Sequence, residues 1–332
     1  MKVVYFLTAA VLVFSATGIY AQCIEGDCAN GKGKYKFTNR AVYEGEFKDS
    51  KMTGKGIYTD QKGDKYEGEF DNGKLNGAGK VIYKSGDIAE GHYKNNLLDG
   101  YGTVVSINGD RYSGEFKKGK KDGKGEFIYV SGEKYTGDFE DDAFNGQGLL
   151  KYTNGSIYKG TFDNGKPNGE GTFTDPNGDI FTGKFKNGRI NGKGKAQFKN
   201  GAHYEGNFVN SSMSGDGSYT DEKGNCYVGD FKNGKLNGKG KVTFVNGEVF
   251  EGNFVNDLLN GKGKHKSKSG ASYEGTFKKG RYEGNGTYLL PNGIKYIGGF
   301  KNGVFHGNGT VYRPDGTVDR KGKFVKGKFQ GK

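Results

Sequence analysis

The stretch YEGEFKDSKMTGKGIYTDQKGDK, residues 43–65, decides the reading of this chain, because its punctuation recurs along almost the whole sequence. An aromatic-x-Gly-x-aromatic pentapeptide opens at Tyr43, Tyr66, Tyr112, Tyr135, Tyr158, Phe181, Tyr204, Tyr227, Phe250, Tyr273 and Tyr296. Ala89 begins the one altered copy, Ala89-Glu90-Gly91-His92-Tyr93, which keeps the glycine and the second aromatic. A Gly-x-Gly pair follows in every unit, from Gly54 and Gly56 to Gly307 and Gly309, and a third glycine closes each one, from Gly63 to Gly316. No insertion or deletion breaks the 23-residue register between Tyr43 and Gly316. Each unit must therefore stack on the last in one geometry.

Within a unit, Tyr-x-Gly-x-Phe alternates with period two, so the aromatics and the first glycine share one face while Glu44, Glu46 and Lys48 take the other. That is strand patterning, and no stretch has helical periodicity. Asn-Gly pairs lie between the two strands of a unit (Asn72-Gly73, Asn164-Gly165, Asn187-Gly188, Asn233-Gly234) and between units (Asn108-Gly109, Asn154-Gly155, Asn200-Gly201, Asn246-Gly247). Flanked by strands, Asn-Gly signals hairpins, because type I′ turns need positive φ at both central residues. The expected fold is all-β: an elongated, single-layer, twisted antiparallel meander of about twelve hairpin repeats. At roughly 4.8 Å per strand, twenty-four strands make a ribbon on the order of 115 Å long. A glycine column kept inside strands demands a reason, and ring-over-glycine packing supplies one, with Tyr and Phe ladders acting as the core.

Composition agrees with this unconventional core. Only 32% of the 332 residues are hydrophobic and 63 are glycine, yet 24 Phe and 22 Tyr are far more aromatic surface than a disordered chain carries. Partial units flank the array: Gly31, Gly33, Tyr35 and Phe37 match a second half, with Arg40 at the closing-glycine position, while Gly322 and Phe324 match a first half after a one-residue slip. The expected domains are a signal peptide at 1–21, a cap and half repeat at 22–42, twelve repeats at 43–318 and a partial repeat at 319–332.

Lys2, the apolar run Val3 to Phe14, and Ile19-Tyr20-Ala21 read as a targeting segment cleaved after Ala21, the alternative being an uncleaved anchor. Gln22 before Cys23 argues against a lipoprotein, whose signal needs a small residue there. Export predicts a secreted, periplasmic or envelope location, where disulfides persist. Cys23 and Cys28 are then expected to close a small loop, with two unpaired thiols as the alternative, and Cys226 reads as a small buried or half-buried filler.

The repeat, Tyr-Glu-Gly-Glu-Phe-Lys, then Asn-Gly-Lys-Gly, then Asn-Gly, at 23-residue spacing, resembles the MORN (membrane occupation and recognition nexus) family from residue 29 to about 325. The resemblance implies a twisted single-layer β-structure acting as a scaffold at membranes or cytoskeletal structures, in some members by dimerising end to end. The signal peptide departs from the intracellular members and puts cytoskeletal partners in doubt.

No catalytic, cofactor-binding or metal-binding residues are expected. His92, His203, His265 and His306 fall at four different repeat positions and form no column, so they read as surface histidines, and Gly-x-Gly sits between strands rather than at a helix start. Net charge +13 invites an anionic partner, but acidic columns (Glu44, Glu67, Glu90, Glu205, Glu251 and Glu274; Glu46, Glu69, Glu115, Asp138 and Asp230) lie beside lysine columns, as cross-strand ion pairs on a solvated face require. Two functions remain open. One is a scaffold for a protein partner or a homodimer. The other is a module for anionic phospholipid or envelope polysaccharide, and an exported chain seldom meets nucleic acid. The expected binding surface is the tyrosine ladder: Tyr43, Tyr66, Tyr112, Tyr135, Tyr158, Tyr204, Tyr227, Tyr273 and Tyr296. Sequons at Asn154, Asn210, Asn285 and Asn308 matter only in a eukaryotic source.

Overall fold

A computed structural model describes residues 21–331. The expected signal peptide therefore lies outside the described residues, except for its last residue, Ala21. Among the described residues there are 28 strands and no helix, and the chain divides into two compact units, one up to Lys166 and one from Pro167. Inside each unit successive strands pair antiparallel, in the order of the sequence.

Every repeat is a hairpin of a seven-residue strand and a nine-residue strand, such as Val42–Lys48 and Lys51–Thr59. Two residues turn the chain between them, both at positive φ: Asp49 and Ser50, Asn72 and Gly73, Asn95 and Asn96. These are the type I′ turns that suit the right-handed twist of paired strands. The turns between repeats are of another kind, which corrects the expectation from Asn-Gly. In the loop at Ser106 to Asp110, the Gly109 N–H donates to the Ser106 carbonyl at 2.8 Å and only Gly109, at φ 97, is left-handed. Glycine there serves a type I turn followed by one left-handed residue. Arg40 takes the same position in the first half repeat at φ 71, with the side-chain crowding that glycine avoids.

The nine-residue strand carries a bulge. In the second repeat Gly68 faces Gly79 and Phe70 faces Leu75, so Glu69 alone spans Asn76 to Ala78. Gly77 sits there at φ 117, and a Cβ on it would fall 2.1 Å from the Glu69 carboxylate. This carboxylate accepts the Ala78 N–H at 3.2 Å, and Asp138 and Asp230 do the same for Gln147 and Lys239 at 2.9 and 3.1 Å. Three of the five acids in the second column thus satisfy backbone that the bulge leaves unpaired.

The second glycine of the pair makes the core. Gly45 faces Gly56 and Gly56 faces Gly68, a succession that continues along each unit. Over this seam lies a side chain of one of two kinds. In the repeats beginning at Tyr43, Tyr112, Tyr135, Tyr158, Tyr204, Tyr273 and Tyr296, the tyrosine runs along its own strand and its hydroxyl donates to the carbonyl three residues on, at 2.8–3.2 Å. A Cβ on Gly148 would lie 2.5 Å from the Tyr135 ring. In the other five repeats Leu75, Leu98, Ile190, Leu236 or Leu259 covers the seam instead. The leading residue there is displaced or, at Ala89, small enough that the Tyr93 hydroxyl reaches back to its carbonyl at 3.0 Å.

Neighbouring repeats are tied at their loops. The side-chain oxygens of Asp64, Asp87, Asp110, Asp179 and Asn225 accept the backbone N–H twenty residues ahead, at Lys84, Ile107, Val130, Lys199 and Val245, over 2.8–3.1 Å. The cap strand Gln22–Gly26 pairs with Lys32–Lys36, and Cys23 and Cys28 are joined with Cα atoms 5.9 Å apart.

Candidate interaction surface

Seven of the nine tyrosines expected to form a binding surface are core residues. Tyr43, Tyr135 and Tyr158 are fully inaccessible, Tyr112, Tyr204, Tyr273 and Tyr296 are buried, and Tyr66 and Tyr227 are half-buried. Each covered ring is enclosed by its own strand's phenylalanine and by the next repeat: Tyr43 meets Phe47 and Phe70 edge-on, both at 5.1 Å. Where an aromatic follows the turn, it stacks on the tyrosine and completes a glycine–ring–ring sandwich, as Phe144 does on Tyr135 at 3.8 Å. Burial pushes the Tyr43 and Tyr273 phenols up to about 12. The ring faces of the seven buried tyrosines are spent on the fold.

What remains for a partner is the polar face. Along it Lys34 meets Glu44 at 2.9 Å, Lys195 meets Glu205 at 3.1 Å and Lys264 meets Glu274 at 3.3 Å, each pair directly opposite across two strands. The first acidic column therefore does pair, with the lysines that follow the second glycine of each Gly-x-Gly, whereas of the Gly-Lys-Gly lysines only Lys124 meets an acid, Asp138, among the described residues. Exposed pairs of this kind contribute little stability, about 0–1 kcal/mol each. Between the columns runs a groove floored by the backbone of the glycine seam. In the first unit it has a volume of about 730 Å³ between Lys34, Glu44, Lys55 and Glu67, and in the second about 660 Å³ between Glu251, Lys264 and Glu274.

Among the described residues no group of three or more His, Cys, Asp or Glu side chains is arranged to hold a metal ion. His265 corrects the expectation of surface histidines. It occupies a core column, stacks on Phe250 at 4.1 Å, bonds the Tyr282 hydroxyl through Nδ1 and the Glu248 carboxylate through Nε2 at 2.7 Å. Both ring nitrogens are thereby satisfied inside the sheet. Lys121 is a second polar intruder, in the column that holds Met52 and Leu75. Its ammonium lies 3.5 Å from Asp142 and 5.6 Å from the centres of the Tyr112 and Phe127 rings, and burial pulls its pKa down. Cys226 is half-buried.

The MORN repeat matches thirteen consecutive stretches, from residues 29–42 through 43–65 and 90–111 to 296–318. The chain belongs to the MORN repeat family. Its thirteen matches are the twelve full hairpins and the half repeat ahead of them, and the match resumes at residue 90, just past Ala89. No curated protein matches the MORN chain. Among solved structures it is similar to the SAS-4 (dCPAP) TCP domain of Drosophila melanogaster, solved with a proline-rich motif of Ana2 (11% identity, 52% of this chain and 87% of that one, TM-score 0.31). It is also similar to the TCP10 domain of Danio rerio CPAP (10% identity, 74% and 99% coverage, TM-score 0.22). Virginiamycin B lyase of Staphylococcus aureus follows (9% identity, 90% and 97% coverage, TM-score 0.14).

Proposed function

We propose that this MORN protein is an exported, non-catalytic scaffold that holds a protein partner or a second copy of itself through its polar face. One observation carries the reading. The aromatic face is consumed by intramolecular packing, so the polar face alone repeats an open pattern of side chains at 23-residue intervals. Export is supported by the apolar N-terminal segment and by the bond between Cys23 and Cys28.

Photo-crosslinkers at polar-face positions 55, 124, 239 and 262, introduced in the native host, test this. Discrete adducts with a protein at one or more of them are expected. Failure of all four to give an adduct, with monomeric mass in sedimentation, removes the scaffold reading. A second reading, attraction to anionic phospholipid or envelope polysaccharide, is supported by the net charge of +13. Pull-down on liposomes and on glycan at low and high salt separates it, since attraction of this kind fades with salt.

A further inference from the structure

We infer that the hairpin-turn margin of the second unit docks an extended acidic protein segment in which acidic and aliphatic side chains alternate every three residues. This names the partner chemistry within the scaffold reading and rests on it.

The residues just before and just after each type I′ turn face each other on the polar side. In the second unit these pairs run Lys186 with Arg189, Val209 with Ser212, Lys232 with Lys235, Val255 with Leu258, Lys278 with Arg281, and Lys301 with Val304. All twelve residues are exposed. Like charges directly opposite each other destabilise a sheet, and three of the six pairs are like-charged. None of those six basic side chains enters an ion pair among the described residues. The acids near them are engaged elsewhere: Asp230, Asp257 and Glu283 accept the backbone N–H groups of Lys239, Leu236 and Asn302 at 2.8–3.1 Å. The hairpins between carry exposed aliphatics, with Val209 at 52%, Val255 at 45%, Leu258 at 49% and Val304 at 44% of full exposure.

The margin is thus a strip in which three basic pairs alternate, hairpin by hairpin, with pairs that each carry at least one exposed aliphatic side chain, a step of about 9.6 Å at two strands per hairpin. An extended polyproline-II segment advances about 9.3 Å in three residues and turns the same side to the sheet each time. A partner with acid, two residues, aliphatic, two residues, acid would meet charge with charge and aliphatic with aliphatic. Sugars and unpaired bases are recognised by stacking on aromatic rings, and the six pairs contain none. The first unit is an internal contrast. It too has basic pairs, Lys48 with Lys51 and Lys117 with Lys120, but Asp71 with Lys74 and Glu140 with Ala143 interrupt them, and Lys120 is neutralised by Asp141 at 2.8 Å.

The probe is a labelled proline-rich peptide with glutamate and leucine alternating at every third position, titrated into the full chain by fluorescence anisotropy. A composition-matched scrambled peptide and phosphatidylserine-containing vesicles run beside it. The spaced peptide should bind about tenfold tighter than the scrambled one. Lys232→Glu with Lys235→Glu, and separately Val255→Ser with Leu258→Ser, should each weaken it by about tenfold or more without moving the melting temperature. Lys48→Glu with Lys51→Glu in the first unit should leave it unchanged. Equal binding of the scrambled peptide would reduce the strip to undirected charge attraction. Vesicle binding lost in the same variants, with no peptide binding, would make it a lipid surface. Loss in the first-unit variant would misplace it, and absence of peptide binding would overturn the proposal outright. If polar-face crosslinks persist in that last case, the scaffold reading stands without this strip.

Discussion

Consider Gly148→Ala, which adds one methyl group at a position of ordinary φ. The new Cβ would lie 2.5 Å from the Tyr135 ring, against the 3.4 Å of ordinary contact, so the ring must retreat by about 0.9 Å. It has nowhere to go, because Phe144 stacks on its other side at 3.8 Å and Phe139 and Phe162 close its edges at 5.2 and 5.0 Å. Overpacking of this rigidity should cost about 3 kcal/mol. Tyr135→Ala alone should cost about 4 kcal/mol. With the ring gone the methyl group has room, so the double variant should cost about 4 kcal/mol, not about 7, a coupling of about 3 kcal/mol. Gly79→Ala is the comparison. Its neighbour is the end of Leu75 at 2.9 Å, which can rotate, so the cost falls to about 1 kcal/mol. Urea unfolding of the four variants gives these numbers. A Gly148→Ala protein within about 0.5 kcal/mol of wild type, or strict additivity in the double variant, would refute the sandwich as the unit of cohesion.

Three further outcomes follow from features described above. Lys121→Met, which matches Met52 and Met213 in its column, should be neutral or stabilising by up to about 3 kcal/mol, whereas Asp142→Ala should destabilise by leaving the ammonium without its nearest carboxylate; thermal melts compare them. Arg40→Gly should stabilise by about 1 kcal/mol in urea unfolding, since a left-handed residue with a Cβ is replaced by one without. For alkaline pH the phenols are held near 12 in the folded state and near 10 in the unfolded chain, so only unfolding releases their protons between those values. The urea midpoint should therefore be insensitive to these tyrosines below about pH 10 and fall from there towards about pH 12. Phenolate absorbance from Tyr43 appearing at about pH 10 in a still-folded protein would contradict its burial.

Much of this architecture was legible because period two, Asn-Gly turns and an unbroken spacing are local signals. The hairpins and the strand-internal glycines follow from residues within a few positions of one another, whereas the lysines that meet the first acidic column lie ten residues away across a turn. The destination of the tyrosines was not legible. Alternation places Tyr43 on a face but does not say whether that face is open, and only its contact with Phe70 of the next repeat closes it. Nor does sequence spacing alone show that Leu75 displaces Tyr66 from the seam, although the signal was present in the residue two places past the turn: Leu or Ile there, and the ring leaves. The role of Glu69 was hidden for a related reason. An acid beside lysines reads as half an ion pair until the bulge at Gly77 exposes a backbone N–H for it to take.

The loop bonds from Asp64, Asp87 and Asp110 to the chain twenty residues ahead have a mechanical consequence. In an antiparallel meander, tension along the stacking direction is borne equally by every rung, but the outermost hairpin is held on one side only and peels first. A unit stretched this way should yield in a sawtooth, each tooth releasing one hairpin with its loop tie. Every event would lengthen the chain by about 23 residues, on the order of 80 Å. A molecule that gives way in such instalments behaves as a shock absorber, paying out contour under load and rewinding by hairpins when the pull is relaxed.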